Sequence, residues 1–192
     1  MKVITLTSEE VQSTQNYIDD ITKLCITAST DPKNKAYENY QLNDNSNTLM
    51  YKIMHSNELT KDNGVITLLY DGNELIAFSA CYINNEWNQV IAGWRSYVHP
   101  KYKTRGLVGE YLMPVHMQFA SQCGYDRIWI TFNSYNKWAY NCYKRIAQGK
   151  AVFLGSSTNV HAANAASNNT VVFHDEPKII KNTEQTVVEI FI

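Results

Sequence analysis

Residues 98–109 read Val98-His99-Pro100-Lys101-Tyr102-Lys103-Thr104-Arg105-Gly106-Leu107-Val108-Gly109, and this stretch decides how the rest of the chain is interpreted. It joins a predicted strand to a predicted helix through a basic turn that contains glycine. The first amides of a helix lack partners within the helix, and the helix dipole leaves partial positive charge there. Glycine lets a ligand approach the backbone, and Lys103 and Arg105 add full charges. The turn therefore suits an anion such as a phosphate or pyrophosphate, with a solvated helix cap as the alternative.

The second informative stretch follows a short buried strand predicted over residues 127–132. It reads Asn136-Lys137-Trp138-Ala139-Tyr140-Asn141-Cys142-Tyr143 and opens a predicted helix. The spacing puts Asn136, Ala139 (or Tyr140) and Tyr143 on one helical face. Taken alone, Tyr143 fits a core aromatic residue whose hydroxyl lies at the rim of the core.

In this order, the two stretches resemble the GNAT-type N-acetyltransferase superfamily. The cofactor loop of that superfamily follows the pattern Arg/Gln-x-x-Gly-x-Gly/Ala after a strand that ends in Val-x-Pro, and Asn-x-x-Ala-x-x-x-Tyr comes later in the chain. Residues 103–108 occupy the first pattern, and Asn136, Ala139 and Tyr143 match the second. The resemblance covers approximately residues 65–146.

Three positions depart from the family pattern. Lys103 stands where Arg or Gln is usual, which keeps the charge but loses bidentate geometry. Val108 replaces the last Gly/Ala, although Gly109 follows it, and Ala147-Gln148 stands where Gly-Phe is usual. Val108 and the missing Gly-Phe leave a second interpretation open, a GNAT-like domain that binds an acyl-CoA without catalysing transfer. A third interpretation is an unrelated phosphate-binding or interaction domain.

The resemblance implies an α+β fold, with a mixed, mostly antiparallel central sheet flanked by helices. A V-shaped splay would separate the fourth and fifth strands, residues 89–98 and 127–132. Acetyl-CoA, as co-substrate, would bind in that opening, where backbone groups of Tyr97 and Val98 would pair with its pantetheine arm. The amides of the loop would hold its pyrophosphate. The remaining implied cofactor-binding residues are Lys103, Thr104, Arg105, Gly106, Leu107, Val108, Gly109 and Asn136.

The reaction that the resemblance implies is direct attack of an amine on the thioester, in a ternary complex. The sequence offers no obvious Cys-His or Ser-His pair for a covalent intermediate. Tyr143 would protonate the leaving thiolate, because a phenol of pKa about 10 holds its proton at neutral pH and a thiolate of pKa about 8.5 accepts one. The acceptor amine, small or on a protein, is not identified by any motif.

The general base has two candidates. Glu86 precedes the fourth strand, where some family members place a carboxylate, and His99 lies just beyond the end of that strand. A solvated turn residue is the alternative for Glu86, and a surface residue before Pro100 is the alternative for His99. A base that acts through water would leave no signature in the sequence.

Length and composition limit the remaining possibilities. The 192 residues favour a single domain over residues 1–192, with the motifs in a core of about 65–146 and a Ser/Asn/Ala-rich loop inserted at 155–170. The 17 Lys and Arg against 18 Asp and Glu give a formal net charge of -1, which argues against nucleic-acid binding and against a polybasic membrane surface. No apolar run has the length of a membrane span and no signal peptide is evident, so a cytoplasmic protein is expected.

The four cysteines and five histidines show no metal-ligand spacing. We therefore expect buried, reduced thiols and no metal ion.

Local patterns predict the elements around the motifs. Thr7-Ser8-Glu9-Glu10 has the form of a capping box for an amphipathic helix over residues 8–28, after a strand at 3–6. Asp71-Gly72 predicts a hairpin between strands 65–70 and 75–83. A helix over 106–123 is predicted to kink or to lose hydrogen bonds at Pro114. Its predicted core stripe consists of Leu107, Tyr111, Val115, Phe119 and Cys123.

Two strands are predicted near the C-terminal end of the sequence, over residues 151–154 and 186–192. The second is apolar and rich in β-branched residues. If it lies at a sheet edge, it would pair with another chain, so the sequence leaves a homodimer possible.

Overall fold

The structure is a computed structural model that describes residues 1–31, 63–85, 88–133, 137–147, 151–157 and 185–192. Glu86, Asn136 and residues 158–170 of the predicted inserted loop lie outside these ranges. The strands are β1 (Lys2–Leu6), β2 (Gly64–Asp71), β3 (Glu74–Asn84), β4 (Gln89–Val98), β5 (Arg127–Asn133), β6 (Ala151–Ser157) and β7 (Gln185–Phe191). The helices are α1 (Ser8–Gln12), α2 (Gln15–Ser29), α3 (Met113–Gln122) and α4 (Lys137–Ala147).

The strands form one sheet in the order β1-β2-β3-β4-β5-β7-β6. β1 with β2, β2 with β3, β5 with β7 and β6 with β7 are antiparallel. β4 and β5 are parallel, with Ile91 opposite Trp129 and Ala92 opposite Ile130. The predicted mixed, mostly antiparallel sheet with flanking helices is therefore confirmed, and it is not closed into a barrel.

The first of two compact units consists of Met1–Tyr82 and Gly93–His116. Its core lies along β2 and β3, where alternate residues such as Ile66, Leu68, Ile76 and Phe78 have no exposed surface. The apolar side chains that α1 and α2 bury are Val11, Ile21, Leu24, Cys25 and Ala28.

The hydroxyl of Tyr70 in β2 donates a hydrogen bond of 2.8 Å to Oδ2 of Asp20 in α2. Burial and this carboxylate raise the pKa of Tyr70 above its ordinary value.

The second unit consists of Ile83–Ala92 and Met117–Ile192. Ile128 and Ile130 of β5 lie opposite Ile190 and Val188 of β7, and all four side chains are buried. On the other face of these strands, the indole N–H of Trp129 donates a hydrogen bond of 2.7 Å to Glu189.

The predicted capping box is confirmed. The Glu10 amide donates to Oγ1 of Thr7 at 3.3 Å, and the Thr7 amide donates to Oε2 of Glu10 at 2.7 Å. The single helix predicted over residues 8–28 is wrong, because it is interrupted between Gln12 and Gln15. The Ser13 hydroxyl donates to the Glu10 carbonyl, and Thr14 has extended backbone angles. Hydroxyl side chains that bond to nearby backbone compete with helix continuation in this way.

The predicted hairpin is also confirmed, with Asp71 opposite Glu74 and Gly72 at φ 60° in the turn. A left-handed residue in a two-residue turn matches the right-handed twist of the strands, which explains the glycine.

Pro114 lies two residues after the last residue of a π turn, Val108–Leu112, which is closed by a hydrogen bond from the Met113 amide to the Val108 carbonyl. Proline cannot donate to the carbonyl of Glu110, so the predicted local loss of α-helical hydrogen bonding is confirmed.

The core stripe predicted for the segment around Pro114 is wrong by one residue along most of its length. Tyr111, Val115 and Phe119 are half-buried and Cys123 is exposed. Because a π turn contains an extra residue, it rotates every later side chain about the helix axis. The side chains that this segment buries are Leu107, Val108, Leu112, Met113, His116 and Ala120.

The last strand does not lie at a sheet edge, so the condition for pairing with another chain through this strand is not met. β7 lies between β5 and β6 and pairs with both, so its backbone offers no open edge for a second chain. β6 extends to Ser157, so residues 155–157, which were predicted to belong to the inserted loop, are part of a strand.

The cysteines only partly match the expectation of buried thiols. Cys25 and Cys81 are buried, but Cys142 is half-buried and Cys123 is exposed. Burial raises the pKa of the Cys142 thiol to about 11, so it is not a thiolate at neutral pH.

Among the described helices, none has the length and apolar character needed to cross a membrane.

Candidate active site

The basic turn predicted to bind an anion connects β4 to the helical segment that begins at Leu107, and it lies within the first unit. The His99 amide donates to the Ile76 carbonyl at 2.8 Å, and the Lys101 amide donates to Nδ1 of His99 at 3.2 Å. Pro100 begins a 3₁₀ turn, Pro100–Tyr102, directly after the strand. These bonds end β4 at a fixed point and turn the chain toward the helix.

Two residues of the turn have left-handed backbone angles, Thr104 with φ 74° and Gly106 with φ 77°. The Glu110 amide donates to the Gly106 carbonyl at 3.0 Å, closing the first helical turn. The amides of Leu107, Val108 and Gly109 precede that bond, and a helix supplies no partner for amides in its first turn. The backbone therefore has the geometry that binds an anion at a helix start.

Val108, one of the departures from the family pattern, is buried together with Leu107. Its side chain therefore packs into the core.

A Cβ atom added at Gly106 would meet nothing within 4 Å. The positive φ of Gly106, rather than crowding, therefore requires glycine at this position.

The two cations of the turn have partners within the first unit. Nζ of Lys103 lies 2.8 Å from Oδ2 of Asp31, which follows α2. The guanidinium of the exposed Arg105 lies over the ring of Tyr102, 4.8 Å from its centroid. The Tyr102 hydroxyl in turn donates to Oδ2 of Asp71 at 2.9 Å, and this hydrogen bond raises the pKa of the phenol. Arg105 is thus held at the surface by an aromatic ring, whereas Lys103 is neutralised by a carboxylate.

Tyr97 and Val98, predicted to pair with the pantetheine arm, are the last two residues of β4. The Tyr97 ring stacks on Phe78, with centroids 6.3 Å apart, and Val98 is buried. Both side chains are anchored in the first unit, so the strand end is fixed immediately before the turn.

Tyr143, the predicted acid, lies in α4 of the second unit. Only 4% of its surface is exposed, and its ring centroid is 5.6 Å from that of Phe132 in β5. Ala139, one helical turn earlier, is also buried, as the shared face in the sequence predicted.

The first unit also contains residues that the sequence did not single out. Asp31 pairs with Lys103 across 72 positions of sequence, and His116 accepts a hydrogen bond from Gly93. Nothing local in the sequence marks the first pair. His116 was not singled out because the predicted core stripe was wrong by one residue. A stripe shifted by one residue toward the C-terminal end includes His116.

The site residues therefore divide between the two units. Tyr97, Val98 and residues 103–109 belong to the first, Tyr143 belongs to the second, and Glu86 and Asn136 lie outside the described ranges. In the part of the chain that the structure describes, no three His, Cys, Asp or Glu side chains are grouped to hold a metal ion.

The sequence matches the model of the acetyltransferase (GNAT) family over residues 26–147, which is more than half of the chain. The chain belongs to the GNAT acetyltransferase family. The matched range of this GNAT protein includes the whole basic turn and ends with α4, so both stretches that carried the resemblance lie inside it.

Solved structures agree with this GNAT fold. An N-acetyltransferase from Staphylococcus aureus Mu50 superposes with a TM-score of 0.60 at 16% identity, covering 99% of this chain and 96% of its own. PaiA N-acetyltransferase from Thermoplasma acidophilum, in complex with coenzyme A, gives 0.54 at 12% identity and covers 100% of both chains.

A third neighbour, assigned as a streptothricin acetyltransferase from Bacillus anthracis str. Ames, was solved in complex with acetyl coenzyme A. It gives a TM-score of 0.50 at 16% identity, and the similarity covers 70% of this chain and 66% of that enzyme. A search among curated proteins gave no match. At these identities the neighbours establish the fold of the GNAT protein. The substrates of the neighbours are not assigned to this chain.

Proposed function

We propose that this chain transfers an acetyl group from acetyl-CoA to an amine acceptor, by direct attack in a ternary complex. The observation that carries the proposal is the turn from Lys103 to Gly109. The amides of Leu107, Val108 and Gly109 precede the first hydrogen bond of the helix, and Gly106 holds the backbone at φ 77°. Amides arranged in this way bind the oxygens of a phosphate or pyrophosphate, and coenzyme A carries a pyrophosphate.

In this proposal the turn and the strand before it hold the cofactor. The amides of Thr104 and of residues 106–109 bind the pyrophosphate, because the Arg105 amide already donates to the Tyr102 carbonyl at 3.3 Å. The Arg105 guanidinium adds positive charge around it, whereas the charge of Lys103 is largely balanced by Asp31. Backbone groups of Tyr97 and Val98 pair with the pantetheine arm as an added strand would. Asn136 completes the cofactor-binding set.

The reaction needs one proton removed and one supplied. The amine nitrogen attacks the thioester carbonyl carbon, the C–S bond breaks, and its electron pair leaves on the sulfur of CoA. Tyr143 donates its phenolic proton to that thiolate and later regains one from solvent. Its packing against Phe132, with ring centroids 5.6 Å apart, supports this role because it holds the phenol in one place.

Glu86 is the proposed base that takes the proton from the amine, directly or through water. His99, the other candidate, already uses Nδ1 to accept the Lys101 amide, and its Nε2 lies 3.7 Å from Glu74. These contacts support a structural role for His99 at the end of β4.

Calorimetry with acetyl-CoA and CoA tests the cofactor assignment, with two glutamate variants compared. Gly106→Glu places a carboxylate in the turn and should weaken binding at least about tenfold, through like-charge repulsion and loss of the close approach. Gly124→Glu is the matched control. It has a similar φ of 83° and equally open space after the end of α3, so it suffers comparable backbone strain without changing the turn. Equal affinity in folded Gly106→Glu and the wild type would overturn the assignment.

Turnover is tested separately, by measuring free CoA thiol released from acetyl-CoA with a panel of small amines and amine-bearing peptides. Release that depends on the amine supports acetyl transfer. Acetyl-CoA binding without release on any amine would indicate the non-catalytic acyl-CoA-binding alternative.

A further inference from the structure

Gly93 interrupts β4 with a left-handed φ of 67°, five residues before the strand ends at Val98. A positive φ cannot continue an extended strand, so the chain changes direction at this residue. The part of β4 that follows carries Tyr97 and Val98. The direction in which these two residues present their backbone groups is therefore set at Gly93.

Side chains bind both polar backbone groups of Gly93. Its amide donates to Nδ1 of His116 at 3.3 Å, and its carbonyl accepts a hydrogen bond of 2.9 Å from the Ser96 hydroxyl. Oγ of Ser96 also lies 2.6 Å from Oγ of the buried Ser79 in β3. Since the Ser96 proton is used on Gly93, Ser79 donates to Ser96, and the bend is tied to the neighbouring strand.

His116 is an unexpected residue to find at this position. It has no exposed surface, and burial lowers the pKa of the imidazole to about 3. The ring is therefore neutral at ordinary pH, and because Nδ1 accepts, Nε2 carries the proton. Within the described residues, that buried Nε2–H has no hydrogen-bond partner.

An unpaired buried donor destabilises a protein, and an apolar side chain of similar size would avoid that penalty. Packing alone therefore does not account for a histidine at position 116. What the imidazole provides, and leucine or methionine would not, is an acceptor for the Gly93 amide.

We propose that His116 is a positioning residue for acetyl transfer, whose Nδ1 holds the Gly93 amide and so fixes the segment of β4 that presents Tyr97 and Val98 to the pantetheine arm. This inference rests on the proposed function. It extends that function to His116 in α3, which matches neither family pattern. Ser96 contributes on the other side of Gly93, by donating a hydrogen bond to its carbonyl.

The first experiment measures the bend without any cofactor. Amide hydrogen exchange at Gly93, followed by NMR in the wild type, should be slow because the N–H is bound to a buried acceptor. His116→Leu should accelerate it, and His116→Asn should restore slow exchange, since Oδ1 of asparagine occupies nearly the same place as Nδ1 of histidine. Unchanged exchange at Gly93 in His116→Leu would overturn the assignment of the acceptor.

The second experiment measures acetyl-CoA affinity by calorimetry for the same variants. His116→Leu should weaken binding by up to about tenfold, because acetyl-CoA must then order the segment of β4 that the lost hydrogen bond no longer holds, and His116→Asn should recover most of the affinity. Met113→Leu, a volume-conserving change at a fully buried position of the same helix, is the control and should bind normally.

Equal loss in the Leu and Asn variants would mean that packing volume matters and the acceptor does not, which overturns the proposal. If His116→Leu fails to fold, Ser96→Ala tests the same bend from the carbonyl side, and normal affinity there overturns it equally. A wild-type protein that does not bind acetyl-CoA would refute the proposed function instead, while the exchange measurement would still decide whether His116 holds Gly93.

Discussion

The ammonium group of Lys103 lies 2.8 Å from the carboxylate of Asp31, and the two side chains are 24% and 12% exposed. Asp31 lies two residues after Ser29, the last residue of α2, where the helix dipole disfavours a negative charge, so the ammonium group of Lys103 offsets that unfavourable interaction. One of the two cations in the basic turn is thereby neutralised by the protein itself.

Asp31→Asn should therefore strengthen acetyl-CoA binding, because Lys103 becomes available to the phosphates. We expect a gain of up to about fivefold, since a partly exposed ion pair is worth at most about 1 kcal/mol. Calorimetry at low and moderate salt measures it, and the gain should shrink as salt rises. In a Lys103→Met background the same change should have no effect; a gain that persists there would show that Asp31 acts by another route.

Thr104→Gly should stabilise the fold by about 0.5–1 kcal/mol, measured by urea unfolding. A β-branched residue at φ 74° is strained, and glycine removes that strain at some cost in unfolded-state entropy. Lys101→Gly is the comparison, because Lys101 lies in the 3₁₀ turn at ordinary backbone angles and glycine should destabilise the protein there. Destabilisation by both variants would show that Thr104 is not strained.

Tyr143→Phe separates proton donation from packing. The ring contact with Phe132 is kept, so thermal stability and acetyl-CoA affinity should change little, whereas kcat should fall by about 10²–10⁴-fold. Tyr140→Phe removes a phenol from the same helix, one that accepts a hydrogen bond from Lys144, and should leave kcat unchanged. Full turnover in Tyr143→Phe, where chemistry limits the rate, would remove Tyr143 from the mechanism.

The buried imidazole of His116 predicts acid sensitivity. Its pKa is about 3 in the folded protein and about 6.5 in an unfolded chain, so below pH 6.5 only the unfolded state takes up the proton. The free energy of unfolding should fall by about 1.4 kcal/mol per pH unit from this group alone, until the pH approaches 3. Denaturation at several pH values in wild type and His116→Asn measures it, and the difference between their slopes isolates His116 from the carboxylates. Parallel slopes would contradict the burial of a neutral ring.

Features encoded within a few residues were predictable from the sequence. The capping box at Thr7 and the hairpin at Gly72 depend on neighbours three or fewer positions away, and both formed as predicted. The limits of β4 were predicted to the residue because Pro100 cannot continue a strand.

What could not be predicted depends on partners far apart or on a small change in helical phase. Lys103 and Asp31 meet only after the chain has folded, and no periodicity connects them. The π turn before Pro114 rotated the rest of that segment, which brought His116 into the core in place of Val115. Loss of hydrogen bonding at a proline can be expected from the sequence, but the form it takes depends on how the following helix packs.

The position of β7 also governs the order in which the second unit can form. β5 and β6 are synthesised first, yet neither pairs with the other, because each pairs with β7. A nascent chain that has reached residue 157 therefore contains β5 and β6 but not β7, the strand that pairs with both. The apolar face formed by Ile128 and Ile130 then lacks the β7 residues that lie opposite it. This half of the sheet can assemble only after residues 185–191 have left the ribosome, so a translational pause or premature stop before Gln185 would leave a chain with an incomplete sheet and a tendency to aggregate.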